Sequence, residues 1–395
     1  VALVDTTVGS VDASSVTTIN GSLAELVVIA DTPTTDLTLA SSYTAVVDVV
    51  LASATAADVL KIVASAIDSG AGAVTISNIG EISGSIGDLT SIVGNSLVTL
   101  SSGVDFAVSG GASATEVVTL KAATTTGGVT AVVTDNDIAA LSALTTSESS
   151  DAITITVTDA SVSAAALTDL EGKTSVAVTA SAVSEITGSI GQINAVIGET
   201  NITTASNYNS TVSSGTVTVD QVNVLKGDTL GVITAEVVST ETLAELLTLT
   251  TAATDAITTT VTDATADAAD LTLLGGKTSV SVGATAVGTI TGTLTEIVAI
   301  IDIPGVTTDG DYVATATSGT GSVDQVNLIK ADTTGPITAE IASSESLTEL
   351  LTLTTGATDS ITMTVPSGTV SAANLIALDL LTGTAVDATG ITLLT

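Results

Sequence analysis

Four aspartates are the first candidates for chemistry. In "TDND" at 134–137 and "TDGDY" at 308–312, Asp135 and Asp137, and likewise Asp309 and Asp311, stand two apart in turn-forming sequence. Alternating carboxylates in a turn are how calcium loops offer oxygen ligands to a hard cation. Calcium is therefore the one cofactor the sequence points to, with these four residues as its ligands. Neither stretch carries a full ligand set, and Asx turns without a metal use the same residues. The glycine-rich nonapeptides that bind calcium in secreted toxins do not occur.

The remaining catalytic repertoire is thin. The 395 residues include no His and no Cys, and the only cations are Lys61, Lys121, Lys173, Lys226, Lys277 and Lys330. Without His, Cys or Arg the common nucleophile and base pairs cannot be assembled, so acid–base work falls to carboxylates and Lys. Two carboxylates could cleave a glycoside, as in a polysaccharide-cleaving β-helix. The acidic residues recur along the chain, however, whereas a catalytic pair is needed once, so the sequence predicts no enzyme. The lysines fall about two repeat units apart. They could form a ladder of salt bridges between units or subunits, but a turn position that tolerates Lys is the plainer reading.

Charge narrows the partners. Forty-two Asp and Glu against six Lys give a formal net charge of −36. No basic patch can be built to neutralise phosphates, which excludes nucleic acid and anionic membranes. No apolar run reaches about 18 residues, so insertion into a membrane is not expected. No basic segment followed by a short apolar run opens the chain, so any export signal was removed or lies elsewhere. An acidic surface repels itself unless cations screen it, a second reason to expect calcium. With no Cys there is no disulfide framework.

The elements that must position these residues repeat. "GVITAEVVSTETLAELLTLTTAATDAITTTV" at 231–261 returns as "GPITAEIASSESLTELLTLTTGATDSITMTV" at 335–365, with 22 of 31 residues identical and an offset of 104. The same offset relates "EGKTSV" at 171–176 to "GGKTSV" at 275–280, and "VDQVN" at 219–223 to 323–327. Fixed-period self-similarity marks a repeat architecture.

A shorter period lies inside the long one. A Ser or Thr followed three residues later by Glu or Gln is a capping box. It occurs at Ser22/Glu25, Ser113/Glu116, Ser189/Gln192, Thr218/Gln221, Thr242/Glu245, Thr293/Glu296, Ser322/Gln325 and Ser346/Glu349. Weaker forms stand at Thr55/Asp58, Ser85/Asp88, Thr134/Asp137 and Ser371/Asn374, and two more units are expected near Ser163 and Asp267. Each start precedes a short helical stripe such as Leu294, Ile297, Val298 and Ile301, or Leu243, Leu246 and Leu247. Before each start comes a period-2 strand: Ile233, Ala235 and Val237 against Thr234 and Glu236, or Ile153, Ile155 and Val157 against three Thr.

With 45% hydrophobic residues but only three Tyr, one Phe and no Trp, the core must be Val, Ile, Leu and Ala. These features predict one right-handed parallel β-solenoid over residues 1–395, with a short helix in most coils. It would have about 14 coils of ~26 residues, a length typical of solenoid repeats. The 104-residue super-repeats would run at approximately 48–151, 152–255 and 256–359, with partial coils at both ends. Solenoids usually carry polar caps. "VALVDTTVGS" and "ATGITLLT" are not polar, which suggests a piece of a longer chain or a subunit that stacks on its neighbours.

The "AITxTVTDA", "GKTSVxV" and "ITGS/T" phrases resemble repeat regions of very large exported bacterial surface proteins, especially cyanobacterial ones. These are S-layer-like or filament- and sheath-forming. The resemblance implies an extracellular or cell-surface structural role in which calcium can take part, and it carries over no functional residue. The leading expectation is a non-enzymatic structural protein that self-associates into a homopolymer or lattice, building a filament, sheath or surface layer. Cell-surface polysaccharide is a further candidate partner. The alternative is the stalk of a giant surface adhesin. An ice-binding array stands further off, because the Thr-rich strand at 154–158 is followed by "TSVAVTA" rather than more ranked Thr.

Overall fold

The computed structural model describes residues 9–67, 72–302 and 305–395. Most of the nonpolar opening stretch, residues 1–8, lies outside the described residues.

Helix starts follow the local code. Reciprocal capping boxes close at Ser22, Ser113, Thr218, Thr242, Ser322 and Ser346. Thr293 and Glu296 exchange the same two bonds. Thr55, Ser85, Ser163, Asp267 and Ser371 are N-caps as well. At 134–137 the reading shifts by one turn. Asp137 itself caps the one-turn helix Ile138–Leu141, because its short carboxylate reaches the Ala140 N–H while Thr134 donates back to Ala112.

Strands keep their alternation. Ile233, Ala235 and Val237 are buried while Thr234 and Glu236 are exposed, and Ile153, Ile155 and Val157 are buried between exposed threonines. The helical stripe is narrower than expected: Leu294, Ile297 and Ile300 are buried, whereas Val298 and Ile301 are only half-buried. A helix of two turns presents one row inward, and the i+4 partners fall on its flank.

The chain divides into two compact units, Val1–Ile186 with Gln192–Ala205, and Thr187–Gly191 with Ser206–Thr395. In the first, the repeats at 73–93 and 98–123 each give one strand to a sheet, turn, give a second strand to another sheet, and enter a helix. Thr44–Val47, Ala73–Ile76 and Val98–Leu100 are successive strands of a four-stranded parallel sheet that begins at Thr18–Gly21. Leu51–Thr55, Ile79–Ser85 and Asp105–Ala112 belong to a separate five-stranded parallel sheet that ends with Val129–Val133 and Ala152–Thr154. In the second unit, Thr265–Asp267, Thr289–Gly292, Val313–Ala316, Ile337–Glu340 and Ser360–Thr362 form another parallel sheet.

The single stacked β-solenoid is thereby corrected. Among the described residues the strands sort into eight separate parallel sheets of two to five strands, in an α/β protein of alternating strand and helix units. The strands are mostly three to five residues long. Turns that carry the chain from one sheet to the next interrupt them before any sheet can run the length of the chain. Periodicity in the sequence reports the repeat, but not which sheet each strand joins.

Each unit has an aliphatic core. Leu26, Ile62, Ile82 and Leu89 are fully buried in the first, and Leu225, Leu271, Ile297 and Ile329 in the second. The few aromatic residues lie inside too: Phe106 and Tyr43 in the first unit, Tyr208 and Tyr312 in the second.

Candidate functional site

Among the described residues, an internal node of a lysine and a buried aspartate occurs three times. Helix Ala114–Ala123 carries Lys121, whose Nζ lies 3.0 Å from the fully buried carboxylate of Asp151 and 3.0 Å from the Gly127 carbonyl. Helices Val219–Asp228 and Val323–Asp332 carry Lys226 and Lys330, 3.0 Å from Asp255 and 3.1 Å from Asp359. These two also reach the Gly231 and Gly335 carbonyls. Each aspartate is 0–1% exposed and stands just before, or at the edge of, a parallel strand.

Backbone donors complete the carboxylates. One oxygen of Asp151 accepts from the Val129 N–H and the other from the Ser147 N–H, at 2.8 and 2.7 Å. Asp255 accepts from Ile233 and Ala252, and Asp359 from Ile337 and Gly356. A buried charge is tolerated only when it is paired and its lone pairs are bonded. Both conditions are met at all three copies.

The next repeat unit grips the same segment from its other side, which accounts for the "GKTS" phrase. The Thr174 hydroxyl donates to the Ile153 carbonyl and accepts from the Ile153 N–H, while the Ser175 N–H donates to the Asp151 carbonyl. Thr278 and Ser279 treat Ile257 and Asp255 in the same way. Thr382 and Gly383 do so for Ile361 and Asp359. A threonine hydroxyl thus satisfies the N–H and C=O of a strand residue where no neighbouring strand does. Lys173 and Lys277 reach the carbonyls of Leu144 and Leu249, just past one-turn helices. Lys61, the most exposed of the six, pairs with Asp31 at 2.8 Å.

Other acids are spent on helix N-termini, where unpaired N–H groups and the helix dipole favour negative charge. Asp135 accepts from the N–H of Ala114, first residue of the preceding helix, at 2.7 Å. Asp159 and Asp263 do the same for Ile138 and Leu243. Asp137 caps its own helix. Asp309 accepts from the Gly310 N–H in an exposed turn, and Asp311 is exposed beside it. Asp135 and Asp137 lie in the first unit, Asp309 and Asp311 in the second. Among the described residues no three His, Cys, Asp or Glu converge as a metal-holding group.

Two sets of titrating groups are displaced, each for one physical reason. The capping-box carboxyls of Glu25, Glu116, Glu245, Glu296 and Glu349 are held below the usual carboxylate range by the N-cap backbone N–H and then by its hydroxyl. Burial, and then a hydrogen bond to Asp228 or Asp332, pushes the Tyr208 and Tyr312 phenols up.

The salt-bridge ladder between units, the less favoured sequence reading, holds at Lys121, Lys226 and Lys330, which sit in helices rather than in tolerant turns and pair with aspartates 29 or 30 residues further on. The signal was present: Asp151, Asp255 and Asp359 share the 104-residue offset within "DAIT" and "DSIT". The chain matches no protein-family model, and no curated protein or solved structure is significantly similar to it. No helix among the described residues is long and apolar enough to cross a membrane.

Proposed function

We propose that this is a non-enzymatic structural repeat protein of the cell exterior, which self-associates into a filament, sheath or surface layer. The observation that carries this reading is the threefold Lys, Asp and Thr node. Lys and Asp, among the side chains best suited to chemistry, are used in the same way at all three copies, to hold backbone to backbone. A reaction site needs one asymmetric constellation, whereas a scaffold gains from the same fastening at every unit.

The acidic exterior makes assembly responsive to cations, calcium first, since like-charged copies approach only when screened or bridged. Negative-stain electron microscopy and light scattering of the purified chain test this, with a concentration series in calcium and in chelator. Ordered fibres or sheets that grow with concentration are expected, favoured by calcium. Monodisperse single molecules under every condition would overturn the assembly reading, and identical behaviour with and without chelator would remove the calcium.

A further inference from the structure

We propose that the Lys–Asp pairs set the pairing register of the repeats, rejecting a self-alignment that slips by one strand while accepting one that slips by 104 residues. The hazard they answer is in the sequence. Successive units are short parallel strands with Val, Ile, Leu or Ala at alternate positions, and 22 of 31 residues recur between 231–261 and 335–365. A strand that slides past its partner by a whole unit keeps its inward face apolar, so the core alone does not distinguish right from wrong neighbours.

A buried charge does distinguish them. Ile233 lies one strand before Asp255 and gives its N–H to that carboxylate, and Ile337 stands in the same relation to Asp359. A slip of one strand therefore sets an isoleucine where Lys226 or Lys330 needs its aspartate, and leaves an aspartate buried without its cation. Removing one partner of a buried pair is strongly unfavourable, and the best-attested use of such polar groups is to fix register. A slip of 104 residues escapes this penalty. Lys226 would then meet Asp359, which is held by Gly356 and Ile337 as Asp255 is held by Ala252 and Ile233.

The native chain has no Cys, so an engineered pair reads the register directly. Thr338 and Ser360 are Cα partners on adjacent strands, a separation that a disulfide spans. T338C/S360C, refolded from urea and mildly oxidised, should close its disulfide almost completely. With K330M/D359N added, closure should fall at least twofold, and exchanged oligomers should elute before the monomer. Equal closure with one monomer peak overturns the proposal. So does a variant that never folds, since the pair would then carry stability rather than register. A second chain lacking 231–334 places Asp359 29 residues after Lys226, since 359 − 104 = 255 and 255 − 226 = 29. It should fold and show a cooperative urea transition, and failure to fold overturns the claim.

Discussion

Lys226 and Asp255 meet at 3.0 Å across 29 residues of chain, with the carboxylate fully buried and the ammonium also bonded to the Gly231 carbonyl. Removing either partner strands a buried charge. Asp255→Asn or Lys226→Met should each cost about 3–5 kcal/mol in urea unfolding. The double variant K226M/D255N should cost less than the sum of its single changes, because neither charge is then left alone. Additive losses in a double-mutant cycle would show that the two side chains do not act as a pair.

Thr278 satisfies both the N–H and the C=O of Ile257 from a position that is 5% exposed. Thr278→Val keeps shape and removes both bonds, so stability should drop by about 2 kcal/mol or more. Thr278→Ser should retain most of it. Equal urea midpoints for the Val and Ser variants would mean the hydroxyl is not the clamp.

Two nearby glycines should respond with opposite signs. A Cβ on Gly231 would run into the Tyr208 carbonyl, where backbone must move, so Gly231→Ala is expected to destabilise severely. Gly227 lies in the helix Val219–Asp228 with nothing within 4 Å of the added carbon. Gly227→Ala should stabilise by about 0.5–1 kcal/mol, and the copy 104 residues on already carries Ala331. Thermal melts of the two variants check both signs.

Glu245 has its folded pKa lowered by the Thr242 backbone N–H and then its hydroxyl. A carboxyl with a depressed folded pKa adds stability that is present above its unfolded value, about 4.3 for Glu, and lost as pH falls through the folded value. Gln does the same capping at Gln221 and Gln325 without titrating. Between pH 6 and pH 3 the melting advantage of the parent over Glu245→Gln should therefore shrink. An advantage that stays constant across that range would show that the carboxyl contributes no linkage.

Much of the local structure was legible because its causes are local. A cap is decided by hydroxyls and carboxylates within three residues, and burial alternates with a two-residue period. The starts at Thr242 and Ser346 and the inward Ile233, Ala235 and Val237 could thus be read directly. The 104-residue period also established that the same structural solution recurs.

The sequence left open which strands share a sheet. Alternation says which side of a strand is buried, not against what. The expected single solenoid accordingly gave way to several short parallel sheets. The tertiary structure also decided what the lysines and the "GKTS" phrase are for. Lys226 meets Asp255, and Thr278 meets Ile257, only once separate units lie side by side. Contacts between residues more than 20 positions apart depend on strand placement, which no local propensity encodes, and that placement turned scattered polar residues into one repeated fastening.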